Sequence, residues 1–89
     1  MQTTETSTAD SGSTLDTVEP GQTVCVTQLR RNNPALFRKL HAMGLVAGSV
    51  ITVLRRAPFG DPISVTTLGY TLSLRLAEAR EVGVASLNN

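Results

Sequence analysis

The sequence contains no tryptophan, and Phe37, Phe59 and Tyr70 are its only aromatic residues. With 89 residues and 40% hydrophobic content, any core must be aliphatic, built from Val, Leu, Ile and Ala. Cys25 is the single cysteine and His41 the single histidine. An intramolecular disulfide is thereby excluded, which fits a reducing cytoplasm. No apolar run approaches the roughly 20 residues of a membrane helix. The opening residues lack the basic and apolar regions of a signal peptide. The expectation is one small, soluble, cytoplasmic domain.

Charge is unevenly spread. Residues 1–14 carry Glu5 and Asp10 and no basic group. The remainder holds all eight basic residues against five acidic ones, a net +3 that is too weak to argue for nucleic-acid binding. Residues 1–14 are almost wholly Thr, Ser, Glu, Asp and Gly, a composition that cannot offset its ordering entropy. A disordered tail is expected there, with a folded domain over residues 15–89 that becomes ordered near Leu15 and Val18.

Alternation in residues 22–29 predicts a strand with Val24 and Val26 on one face. A helix follows. Asn33 can cap it, Pro34 suits its first position, and Leu36, Phe37, Leu40 and Met43 form an apolar stripe. Gly44 can take the left-handed conformation that ends a helix, which would set Leu45 against Leu40. Residues 49–56 contain a β-branched run that is apolar on both faces and reads as a central strand. Breakers at residues 58–62 precede a hairpin whose arms are residues 63–67 and 70–74, turning at Leu68 and Gly69. A single helical turn at residues 77–79 and a short strand at 82–84 close the chain. Five short strands with one inserted helix predict an all-β fold, a small and partly open barrel of SH3-like type.

Three motifs in order carry a family resemblance. Leu40, Met43, Gly44, Leu45, Gly48, Ile51, Val53 and Leu54 fit the pattern L-x-x-M-G-L-x-x-G-x-x-I-x-V-L. Ala57, Pro58, Gly60, Asp61 and Pro62 fit A-P-x-G-D-P, and Leu72, Leu74 and Arg75 fit L-x-L-R, with Glu78-Ala79 beyond. Over roughly residues 15–85 the chain resembles the FeoA family of bacterial ferrous-iron uptake. It departs at Ala47, where many relatives have proline. The resemblance implies an SH3-like barrel with an inserted helix, and a cytoplasmic accessory role beside FeoB, the membrane transporter with a GTPase domain. That role is to scaffold the transporter or to modulate its GTPase cycle.

The candidate partner-binding residues are Arg55, Arg56, Phe59, Gly60, Asp61 and Pro62. Phe59 is a large apolar group in a proline-restrained turn, and the arginines could steer an acidic face towards it. The alternative is structural: a hairpin loop that folds Phe59 over the barrel, beside a solvated strand end. Cys25 and His41 lack a third ligand, so neither a metal site nor a cofactor is expected. No nucleophile–base pair, paired carboxylates or phosphate-cradling loop can be assembled, so no enzyme is expected. Two other functional classes remain. One is a metal-sensing module like the C-terminal domain of iron-dependent repressors. The other is an RNA-binding barrel, disfavoured by the shortage of aromatics for base stacking.

Overall fold

A computed structural model describes residues 13–31 and 33–87. After a 3-10 turn at Leu15–Thr17 come strand β1 (Thr23–Leu29), helix α1 (Pro34–Ala42) and strands β2 (Val50–Arg56), β3 (Ile63–Thr67) and β4 (Tyr70–Leu74). A one-turn helix α2 (Leu76–Ala79) leads into β5 (Val82–Ser86). All pairings are antiparallel, in the order β4-β3-β2-β1-β5, which puts β2 at the centre as expected.

Every strand sends its inner face into one cluster. Val24 and Val26 of β1, Ile51 and Val53 of β2, Ile63 and Val65 of β3, Leu74 of β4, and Val82 and Val84 of β5 are all buried. A flat five-stranded sheet could not bring its two edges onto one cluster, so the sheet curls. Register shifts in the β1–β5 and β2–β3 ladders supply local bends. Leu15 and Leu40 close the cluster from the 3-10 turn and α1. As expected, this core is aliphatic throughout.

The outer face of β2 departs from expectation. Val50 and Leu54 stay 51% and 46% exposed, because an antiparallel sheet needs cover on one face only. Apolar residues on both faces placed the strand centrally, but they did not make it doubly buried.

Both ends of α1 form as the sequence dictates. The Asn33 side chain accepts from the Leu36 N–H at 3.2 Å, and Pro34 opens the helix. At the other end the Leu45 N–H donates to the Leu40 carbonyl and the Gly44 N–H to that of His41, both at 3.0 Å, with Gly44 at φ +92°. These are the two bonds of a Schellman ending, and Leu40 and Leu45 pack inside it fully buried.

The apolar stripe is narrower than predicted. Leu36, Leu40 and Met43 face the core, whereas Phe37 stays half-buried outside it. At about 100° per residue, Phe37 points roughly a quarter-turn away from Leu36 and lines up with His41 instead. In the β3–β4 turn, Leu68 takes positive φ (53°) together with the expected Gly69 (85°), the pairing favoured in tight hairpins.

Of the tail, residues 1–12 lie outside the described residues. Ser13 and Thr14 are hydrogen-bonded to β5: the Val84 N–H donates to the Ser13 carbonyl at 3.0 Å, and Thr14 pairs with Gly83.

Candidate protein-binding surface

The hairpin between β2 and β3 projects the sequence-predicted site. Its neck is tied by the Ala57 N–H donating to the Pro62 carbonyl at 3.0 Å. A second turn is closed by the Gly60 N–H to the Ala57 carbonyl at 2.7 Å, with Gly60 at φ +86°. The Asp61 carboxylate accepts from the Leu76 N–H at 3.1 Å, tethering the loop to the start of α2. Gly60 and Asp61 therefore shape the loop. At its tip, Phe59 is 97% exposed. The ring does not fold over the barrel. It stands in solvent on a backbone already held by three hydrogen bonds.

The two arginines beside the loop part company. Arg55 is exposed at the end of β2, level with Ser64 of β3. Arg56 turns the other way, and its Nη2 donates to the carbonyls of Asp16 and Val18, each at 2.8 Å. Its guanidinium closes the 3-10 turn onto the sheet, a fixed role that strand alternation alone did not signal. Of the six sequence-predicted residues, the structure groups Phe59, Gly60, Asp61 and Pro62 at one tip, leaves Arg55 exposed and turns Arg56 into the fold.

Beyond the loop, Lys39 of α1 reaches Glu78 of α2 at 2.5 Å, and the other carboxylate oxygen accepts from the Arg75 N–H at 2.9 Å. Burial pushes the Glu78 carboxyl up. The hydrogen bonds from Lys39 and the Arg75 backbone, with the charges of Lys39 and Arg75, outweigh it and hold the group below its ordinary 4.5. Unfolded chains then bind the proton more readily than folded ones. The contribution is present in full above pH 4.5 and is lost as pH falls through the lowered native value. Melting temperatures followed through that acid range should fall less steeply for Glu78→Gln than for the parent. Parallel curves would show that the ion pair contributes nothing.

Cys25 sits half-buried on β1, its Sγ 3.7 Å from the Val26 carbonyl, while His41 is exposed on α1 with its ring centroid 5.9 Å from that of Phe37. Among the described residues, no three His, Cys, Asp or Glu side chains converge as metal ligands, and no helix is long and apolar enough to cross a membrane.

A family profile described as the FeoA domain matches residues 13–86. Among solved structures, the chain is similar to a FeoA-like protein from Clostridium acetobutylicum, with 37% identity and a TM-score of 0.81 over 85% of this chain and 87% of the other. It is similar to Stenotrophomonas maltophilia FeoA, solved with zinc and presented as a prokaryotic SH3 domain protein and a candidate ferrous iron transport activating factor. There the identity is 26% and the TM-score 0.73, over 82% of this chain and 89% of the other. It also resembles part of a manganese-dependent transcriptional repressor solved with manganese. That likeness has 29% identity and a TM-score of 0.80, over 84% of this chain but only 36% of the repressor. The curled five-stranded sheet is thus the SH3-like fold that the strand pattern predicted. With its three motifs in order and a family profile running from Ser13 to Ser86, the chain belongs to the FeoA family, which is linked to ferrous iron transport.

Proposed function

We propose that this chain is a non-enzymatic accessory protein that binds the FeoB transporter at its cytoplasmic face and so supports or regulates ferrous iron transport. The observation that carries the reading is Phe59, 97% exposed at the tip of a hydrogen-bonded loop. An aromatic ring held in solvent at that exposure gives the isolated fold no burial energy. Its restrained backbone has little entropy left to lose on binding, the property of an anchor residue. Arg55 beside it adds steering towards an acidic surface.

The test is association of the full chain with its cognate FeoB, with and without guanine nucleotide. Phe59→Ala should weaken it by about 1–3 kcal/mol, as truncation of an anchor does. Arg55→Glu should weaken it more at low salt than at high salt. Both variants should keep the parent melting temperature, since neither side chain supports the core. Unchanged binding by folded Phe59→Ala would remove the loop from the contact.

A second reading, a metal-sensing module, draws on the 29% identity to the manganese-dependent repressor. The matched region is a minor part of that repressor, and the described residues offer no set of three ligands. Stoichiometric ferrous iron binding tighter than micromolar by the isolated protein, lost in His41→Ala or Cys25→Ser, would favour this second reading.

A further inference from the structure

We propose that the cleft between the end of β1, helix α1 and the turn after it is a second docking site, and that its occupant is an acidic partner segment carrying one apolar side chain. The cleft is lined by the half-buried Leu29, Phe37 and Val46 and the exposed Arg31, His41 and Ala47, with a volume of about 320 Å³. A second opening of about 370 Å³ continues from it past Pro34 and Arg38. None of the residues lining either opening is acidic.

The charge pattern behind this is regional. From residue 20 to residue 60 the chain has no Asp or Glu, yet it carries Arg30, Arg31, Arg38, Lys39, Arg55 and Arg56. Lys39 is engaged by Glu78 and Arg56 by two carbonyls. Arg31 and Arg38 flank the cleft and are exposed. The Arg31 guanidinium lies 4.7 Å from the centroid of the Phe37 ring, a cation–π contact that holds it at the cleft edge. A pre-ordered guanidinium loses less entropy on binding, and its fork matches a carboxylate in two-point geometry. Leu29, Phe37 and Val46 are half-buried between these exposed arginines and the turn after α1, so the complementary ligand has carboxylates on either side of an aliphatic side chain.

A bilayer is a poorer match, because an interfacial surface needs apolar groups that protrude, whereas Leu29, Phe37 and Val46 are half-buried. A nucleic acid strand is poorer too, because the ring available for stacking is already covered by Arg31.

This inference rests on the reading of the chain as a partner-binding module and adds the chemistry of a contact away from Phe59. The probe is the capped peptide Asp-Glu-Leu-Glu-Asp, titrated into the full chain with amide shifts followed by NMR. Shifts should centre on Leu29, Arg31, Phe37, His41 and Val46. The double variant Arg31→Gln/Arg38→Gln, whose altered side chains are exposed, should weaken binding by about tenfold or more, while Phe59→Ala leaves it unchanged. Replacing the central leucine of the peptide by glycine should weaken binding to a similar degree. The proposal is overturned if the spectra do not move at millimolar peptide, or if shifts map to the Phe59 loop. Equal binding of the glycine peptide would overturn it, as would preferential binding to vesicles rich in phosphatidylserine. The probe is synthetic, so its failure leaves the FeoB association result standing, and the reverse holds.

Discussion

Gly44→Val is expected to destabilise the protein by about 2–4 kcal/mol, through two effects that act at the same atom. The first is conformational. Gly44 sits at φ +92°, where a side chain meets its own backbone, and a β-branched one is the worst case. The second is steric. A Cβ there would lie 3.0 Å from the Tyr70 hydroxyl and 3.2 Å from Leu68 Cδ1, both on the β3–β4 hairpin. That hydroxyl is not idle, since it donates to the Met43 carbonyl at 2.6 Å and holds the hairpin onto the end of α1. Gly48→Val separates the effects. Gly48 has a similar φ of +97° but nothing within 4 Å of the added Cβ, so it should show the conformational part alone. Denaturant midpoints of the two variants give the difference, which is expected to exceed about 1 kcal/mol for an overpacked contact. Equal losses would mean that Tyr70 and Leu68 move aside freely.

Arg56→Ala should also cost about 2–4 kcal/mol, because it deletes two hydrogen bonds from a charged donor and leaves two carbonyls to find other partners. The carbonyls are those of Asp16 and Val18, on either side of Thr17, and Leu15 just before them is fully buried. Losing the guanidinium should loosen this segment and admit water to the core at Leu15. Amide exchange of Val18, whose N–H donates to the Leu15 carbonyl at 3.1 Å, should quicken with the global loss or ahead of it. Arg56→Lys should recover only part of the stability: both bonds come from the one nitrogen Nη2, and a lysine ammonium, although it has donors for both carbonyls, sits on a shorter side chain. If Arg56→Ala instead melts like the parent but binds FeoB weakly, Arg56 belongs to the docking surface rather than to the fold.

Arg55 and Arg56 show where sequence reading reaches its limit. In a strand, adjacent residues point to opposite sides, so the pair had to divide between two environments. Alternation from Ile51 and Val53 would have turned Arg55 inward. The register shift between Val53 and Arg55 swaps the faces, setting Arg55 level with Ser64 and Arg56 level with the buried Ile63, where the 3-10 turn meets it. Phe59 poses the same difficulty. Both its outcomes, folded over the barrel or held in solvent, satisfy the same proline and glycine pattern, and tertiary packing decided between them. Phe37 differs, because its departure from the core stripe follows from helical angle and was open to being read from its spacing to Leu36 and Leu40.

What the sequence by itself determined was the local architecture and the family. Asn33 with Pro34 and Gly44 with Leu45 bound α1 because caps act through bonds within a few residues. Alternation in β1 and β3 selected the buried faces because side-chain period in a strand is two. The motifs around Gly44 and Gly60 mark positive-φ positions that few residues tolerate, and together with the L-x-L-R run ending at Arg75 they identified the family. Only the tertiary structure decided which charged groups are tied to the fold by hydrogen bonds and which stand exposed. It engaged Arg56 with two carbonyls and Lys39 with Glu78, and it left Arg31, Arg38 and Arg55 exposed. The physical reason is that a charged side chain is satisfied by whatever the fold brings within about 3–4 Å, and strand pairing and helix docking set that distance between residues far apart in the chain.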